Sequence, residues 1–425
     1  MATTLGVLKE IFPGECRVAI VPANVSRLEK IGLQVLVEAG AGVAAGYPDA
    51  SYEAAGATIT DRSQILSAEL IAGIRLLGAG HGVDEGILSD TKTDCVLIGM
   101  CDPLGSPESL QRPATSGKTV IALEMIPRIT RAQSMDVLSS MATIAGYKAV
   151  LTGASELPRM FPLLMTAAGT VQAARVFVIG AGVAGLQALA TAKRLGAKCQ
   201  GYDVRAACSE QVESVGAKFI ELSLPETSAE DQGGYAKELT EDFYIKQREL
   251  MASVVAESDL VITTAAIPGK PSPLLITEQA VAGMEPGSVI IDLAAERGGN
   301  CEVSQADQRI QSHGVTILGP TNLPSEVPYH ASQMFSNNVT HYLHNLIKDG
   351  EIVWNMDDEI ISETAIVHRG QVVHPRIKSL LETEPEPVAP TTTASSDSPV
   401  ESDSEPSSEV PSFEEFLRDD SEDFE

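Results

Sequence analysis

Two parallel α/β domains separated by a cleft, joined by long helices and followed by a disordered acidic tail, are the architecture this 425-residue sequence predicts. Three observations carry it. Short apolar runs bounded by Gly, Pro and Asp alternate with helical stretches twice along the chain, the pattern of parallel strands covered on both faces. A long helical segment follows each series. Beyond about residue 381 the composition collapses into Pro, Ser, Thr and acids, from which no core can be built.

The first series runs through GVLKEI, VAIVP, a helix around Asn24 to Ile31 stopped by Gly32, and QVLVEAG. AELIAGIRLLG, DCVLIGM and TVIALEM supply further buried strands. From Ser134, Met135, Leu138, Met141, Ile144, Ala145 and Tyr147 recur at helical spacing, predicting a connector helix with one buried face. ARVFVIG, AKCQGYD, AKFIEL, SDLVITT, GSVIIDLA and GVTILGP form the second series, and residues 331–350 read as a return helix. The expected division is an N-terminal domain at 1–135 completed by 331–380, a second domain at 136–330, and a tail at 381–425.

Lys and Arg number 30 against 58 Asp and Glu, a formal charge of −28. Fifteen acids and one base lie between Leu381 and Glu425, so the tail holds −14 and the rest an ordinary −14. So acidic a surface excludes nucleic-acid binding and disfavours anionic headgroups. Six cysteines without a C-x-x-C spacing argue against a zinc knuckle or redox pair and for a reducing compartment. The N-terminus carries charge where a signal peptide is apolar. The longest nearly apolar run, 176–192, holds Gly180, Gly182, Gly185 and Gln187 and reads as strand, turn and helix. A soluble, cytoplasmic protein without direct membrane insertion is expected. At the end of the tail, Phe413, Phe416 and Leu417 stand at helical spacing; plain disorder is the preferred reading, a partner-binding motif the other.

The most specific stretch is ARVFVIGAGVAGLQALATAKRLGAKCQGYDVR. A β run enters Gly180-Ala181-Gly182-Val183-Ala184-Gly185, a helix leaves it, and a second strand ends at Asp203, eighteen residues after Gly185. That context identifies a Rossmann-like dinucleotide turn. Gly180 permits the turn, Gly182 admits a pyrophosphate to the helix N-terminus, and Gly185 allows close packing. Asp203 would accept the adenosine ribose hydroxyls and repel a 2′-phosphate, favouring NAD(H); Arg205 reads as a solvated or phosphate-side charge. Thr263 to Ala266 fall at the end of a later strand, where small residues let a dinucleotide pass.

A self-contained dehydrogenase also needs a proton acceptor, usually His or Lys. None of the seven histidines falls at a convincing strand end; His341 and His344 are three apart on the return helix and read as surface or interface, with no metal expected. The polar stretch that could face a nicotinamide is MIPRITRAQSMDVLSS, with Arg128, Arg131, Gln133, Ser134, Asp136 and Ser139. These groups can fix a carboxamide and ribose, but none shuttles protons at neutral pH. The bland alternative is a helix N-cap at Ser134 with Asp136 in the first turn.

These motifs, with EQVESVGAKFIEL, GGYAKEL, TTAAIPGKPSPLLIT and GSVIIDLAAERGGNCE, resemble those of the soluble NAD(H)-binding component of proton-translocating NAD(P) transhydrogenases, relatives of the alanine dehydrogenases, over about residues 5–380. The resemblance implies catalytic roles for Arg128, Gln133, Asp136 and Ser139. It implies cofactor contacts from Arg128, Arg131, Gln133, Gly180, Ala181, Gly182, Val183, Gly185, Asp203, Val204 and Arg205. Gly234 and Tyr235 would lie in a mobile loop over the nucleotide, with Gln247 and Ala266 near its adenine and nicotinamide sides. It further implies a homodimer on membrane-embedded subunits that carry an NADP(H)-binding domain, with hydride transfer coupled to proton translocation. Direct transfer between two nicotinamides requires positioning rather than a proton shuttle. Arg17 is retained at the substrate-carboxylate position of the alanine dehydrogenases, whereas Arg75 and Cys101 stand where their Lys and His would fall. An alanine dehydrogenase-like enzyme and an NAD(H)-sensing interaction module are the alternatives.

Overall fold

A computed structural model describes residues 3–78, 85–222 and 240–382. The acidic tail beyond residue 382, the expected loop at Gly234 and Tyr235, and His81 lie outside the described residues.

Strands β1 (Thr3–Val7), β2 (Leu33–Glu38), β3 (Thr58–Thr60), β4 (Leu70–Arg75), β5 (Val96–Met100) and β6 (Thr119–Ala122) pair in parallel. A hairpin of β7 (Leu164–Thr166) and β8 (Gly169–Val171) follows. The second sheet holds β9 (Arg175–Ile179), β10 (Lys198–Tyr202), β11 (Lys218–Phe219), β12 (Leu260–Thr263), β13 (Val289–Asp292), β14 (Arg309–Ser312) and β15 (Val315–Leu318), with only β14 antiparallel. After a short hairpin, β16 (Ile347–Lys348) and β17 (Glu351–Ile352), the strands β18 (Ala365–His368) and β19 (Gln371–Val372) add antiparallel to the β6 edge. The orders are β19-β18-β6-β5-β4-β1-β2-β3 and β11-β10-β9-β12-β13-β15-β14. In the central strands β5, β6, β12 and β13 nearly every residue is buried, as helices on both faces require. The expected pair of parallel α/β sheets is present. The apolar run Val18–Val21 is buried without joining a sheet: Ser332 and Ser336 of the return helix accept the N–H groups of Val18 and Val21 at 3.0 Å each.

Two long helices link the lobes, a connector at Val137–Glu156 and a return helix at Pro328–Leu346. The connector departs from the expected single face. Val137, Met141 and Ile144 enter the first core, whereas Ala149 and Val150 enter the second. Leu138 and Tyr147, assigned to the buried stripe, are 38% and 41% exposed. A helix serving two cores needs two apolar faces, one for each half, and a single periodicity cannot describe both.

The connector also meets the helix Val183–Arg194 backbone against backbone. A Cβ on Gly146 would stand 2.0 Å from the Ala184 carbonyl oxygen. Gly153 is tight as well, but against the Leu260 side chain at 2.7 Å, which can turn away.

In the loop after β1, Arg17 forms a two-pronged pair with Glu15 at 2.7 Å, and Arg75, the last residue of β4, stands 3.4 Å from the same carboxylate. Arg17 also donates to Asn322 beyond the second sheet at 3.2 Å. Burial opposes the charge on Glu15, but the Arg17 hydrogen bonds and charge hold its carboxyl down at about 2. Two further acids behave oppositely. Burial pushes Glu10 up to about 7 against the N–H groups of Ile74 and Arg75, and Glu124 up to about 7 against those of Cys101 and Asp102.

Two outcomes are expected. Gly146→Ala should lower stability by about 1–3 kcal/mol in chemical denaturation, because backbone cannot move aside as a side chain can. Gly153→Ala should cost less. For Glu10 and Glu124 the folded pKa exceeds the unfolded value, so their contribution is complete below about 4.5 and is lost as pH rises through about 7. Glu15 contributes above about 4.5, and that contribution is lost as pH falls toward about 2. Urea unfolding of Glu124→Gln should therefore decline less than the unmodified protein between pH 6 and 8; parallel curves would refute this.

Candidate functional site

β9 delivers the chain into the glycine turn, and the three glycines differ in what the protein itself asks of them. Gly180 has φ +97°, a left-handed conformation that disfavours side chains, and its N–H bonds the Tyr202 carbonyl at 2.8 Å. A Cβ on Gly185 would lie 1.8 Å from the Gly180 carbonyl oxygen, so this residue is glycine for packing. Gly182 has an ordinary φ of −75° and nothing within 4 Å of where a Cβ would stand. The fold has no need of glycine there. The space a side chain would fill opens at the N-terminus of the helix Val183–Arg194, whose first turn has no side-chain cap. Backbone N–H groups and the positive end of the dipole suit that space to a pyrophosphate.

Asp203, just beyond β10, closes the turn from the side. Its Oδ2 accepts the Ala181 N–H at 2.7 Å. Arg205 occupies the rest of the carboxylate: its backbone N–H and Nε reach Oδ1 at 2.9 Å each, and its Nη2 reaches Oδ2 at 2.9 Å. Burial works against the charge, yet the hydrogen bonds from Arg205 hold the carboxyl below its ordinary range. Asp203 thus stays ionised and aimed at the turn, with each of its oxygens already accepting two hydrogen bonds. Val204 is half-buried between them.

The floor of the turn comes from β12. Thr264 donates to the Gly180 carbonyl at 3.1 Å, and Ala266 is exposed beside it. Two residues that sequence reading missed hold this floor. Asn300, fully buried, donates to the carbonyls of Ala265 and Pro273 and accepts the Ala265 N–H. Asp292, at the end of β13, accepts from Thr263, Ala294, Asn300, Cys301 and Ser304. Their signal was available as an acid closing a buried strand ahead of RGGN. Gln247 is fully buried; it donates to the Tyr202 hydroxyl at 2.9 Å while its Oε1 has no partner among the described residues.

The polar stretch 126–139 runs directly into the connector helix. Thr130–Met135 forms a tight turn with Ala132 and Met135 buried, and Arg128 and Gln133 are exposed. The helix N-cap is Asp136 rather than Ser134: its carboxylate accepts the Ser139 N–H at 2.8 Å and the Ser139 hydroxyl at 2.6 Å. Arg131 pairs with Asp358 of the C-terminal segment. From Asp136 to Gly146, which meets Ala184 of the helix after the glycine turn, is ten residues, or about 15 Å of helix. Val183 is exposed at the head of its helix, and Ala181 is buried under it. Among the described residues no group of three or more His, Cys, Asp or Glu could hold a metal ion, and His344 is bound through Nδ1 to the Thr340 carbonyl.

Residues 6–145 match the N-terminal domain of alanine dehydrogenase/PNT and residues 149–375 match its C-terminal domain. An NAD(P) transhydrogenase subunit alpha chain of Rhodospirillum rubrum is 48% identical over 379 residues, covering 88% of this chain and 98% of that one. Among solved structures, the transhydrogenase of Sinorhizobium meliloti superimposes with a TM-score of 0.76 at 41% identity, covering 88% of this chain and 99% of the other. An L-alanine dehydrogenase follows with a TM-score of 0.73 at 26% identity, covering 89% and 99%. With both family domains matched in order and a relative this similar along almost its whole length, the chain belongs to the alanine dehydrogenase/PNT family.

Proposed function

We propose that this chain is the NAD(H)-binding subunit of a proton-translocating NAD(P) transhydrogenase. It would pass hydride from NADH to NADP⁺ held on a partner subunit, with a separate membrane component coupling transfer to proton translocation. The observation that carries the nucleotide reading is Gly182, a glycine with an unstrained backbone and empty space before it. When bound, NADH supplies the hydride. Gly182 leaves room for the pyrophosphate, Asp203 orients the ribose once Arg205 yields, and Ala266 leaves room beside the nicotinamide. Arg128 and Gln133, exposed on the polar loop, orient the reacting ring, with Asp136 and Ser139 fixing the loop where it enters the connector helix. Gly234, Tyr235 and Gln247 complete the expected cofactor contacts. The nucleotide domain is drawn at 136–330, and the N-terminal domain at 1–135 with 331–380.

The dehydrogenase alternative is disfavoured by Arg75 and Cys101, which stand where the Lys and His of the alanine dehydrogenases would fall; Arg75 lies 3.4 Å from the Glu15 carboxylate and Cys101 is buried. No helix of the described residues is long and apolar enough to cross a membrane, and attachment through partner subunits at the cytoplasmic face accords with that. A homodimer is supported by the β7–β8 hairpin, which presents Val171 and an 83%-exposed Met165, with Met160 and Leu163 exposed on the chain leading into it. An isolated two-stranded ribbon with this much apolar surface is marginal in water and gains stability when covered by a second copy.

The decisive experiment mixes the chain with NADH, an NADP⁺ analogue and the NADP(H)-binding subunit, with L-alanine and NAD⁺ as the control. Transfer is expected only with the partner subunit; alanine-dependent NAD⁺ reduction would overturn the reading. Asp203→Ala should weaken NADH binding by about 10- to 100-fold, as loss of hydrogen bonds to a charged group implies. Met165→Asp should shift sedimentation from dimer toward monomer.

A further inference from the structure

The family resemblance implies a nucleotide contact for Arg131, yet its guanidinium reaches the C-terminal segment. Nη1 donates to Asp358 Oδ2 at 3.2 Å and Nη2 donates to Oδ1, a two-pronged pairing. The acceptor is fixed independently of Arg131. Asp358 is the N-cap of the helix Glu359–Thr364, accepting the Ile360 N–H at 2.9 Å, and Asn345 of the return helix donates to Oδ2 at 3.0 Å. A second support comes from the same helix: Asn338, buried, donates to the Ser134 carbonyl at 2.9 Å. Asn338 and Asn345 are seven residues apart and share one face of that helix. Within Thr130–Met135, then, Arg131 is tied to Asp358, Ala132 and Met135 are buried, and Ser134 is held by its carbonyl, while Gln133 faces outward.

Resting on the transhydrogenase reading above, we propose that Asp358 is a positioning residue: by holding Arg131 it sets the polar loop so that Gln133 and Arg128 address the nicotinamide. Arg131 then acts through Asp358 rather than on the nucleotide. A half-exposed ion pair adds little to folding stability, so the pairing matters for where the loop stands. The hydrogen bond from Arg131 comes first among the causes that lower the Asp358 carboxyl to about 2, so the pair is charged at neutral pH. Small displacements of a reacting group are costly in rate even when binding survives.

The test is a double-mutant cycle on the full chain with Asp358→Asn, Arg131→Gln and their combination, reading NADH dissociation constants and hydride transfer with the NADP(H)-binding subunit. Asparagine still caps a helix, so the helix start survives in Asp358→Asn. Arg131→Gln is a surface change that tests the same pairing should Asp358→Asn fail to fold. Each single variant is expected to lose about 10- to 100-fold in transfer rate with NADH affinity within about threefold of the unmodified chain. The double variant should be no slower than the worse single one, because the two residues act as a unit. Unchanged transfer in Asp358→Asn, or tenfold weaker NADH binding in Arg131→Gln alone, would overturn the proposal while leaving the transhydrogenase reading intact. An unmodified chain that binds NADH but transfers nothing to the partner would overturn both.

Discussion

The site depends on one close approach of two backbones. Gly146 of the connector helix lies against Ala184, the second residue of the helix that the glycine turn begins. The polar loop is the immediate N-terminal extension of the connector, capped by Asp136. A contact between two backbones cannot relax by a rotamer change, so it acts as a rigid spacer between the loop and the turn. One helix therefore sets the spacing of loop and turn, and the two cores that the helix enters hold it in place.

Around that spacer, buried acids organise backbone that no regular element can hold. Asp292 gathers five donors and pins the segment that carries Asn300, which in turn pins the floor beneath the glycine turn. Asp203 does the same for the turn, and Asp136 for the loop. Glu124 collects the N–H groups of Cys101 and Asp102, and Asp102 in turn pairs with Arg297 of the second lobe. Each carboxylate satisfies N–H groups that would otherwise be buried unpaired, and each stands at or just beyond the end of a strand or the start of a helix, where ladders run out.

What could be read from the sequence is what is local. The glycine turn and its acid lie within a few dozen residues, and each glycine has its own reason that spacing alone suggests. The central strands of both sheets are legible as apolar runs, whereas the short edge strands β3, β14 and β19, the added strand β18 and the β7–β8 hairpin are not among the runs read as strands. Leu138 and Tyr147 misled because one periodicity was imposed on a helix that serves two cores. Arg131 is illegible for another reason. Its partner Asp358 is 227 positions away, and no pattern near Arg131 distinguishes an arginine reaching for a ligand from one reaching for the far end of its own chain.

The β18–β19 addition has a consequence for the order in which the molecule is made. Arg369 donates its N–H to Thr119 Oγ1 across 250 positions, and β18 supplies the neighbour that covers β6. During synthesis the strands of the second sheet, all between residues 175 and 318, emerge before that neighbour does. The second lobe can thus close first, while the first waits with an unpaired edge and a long loop still to be closed. The lobe whose strands are made first thus receives its edge strand last.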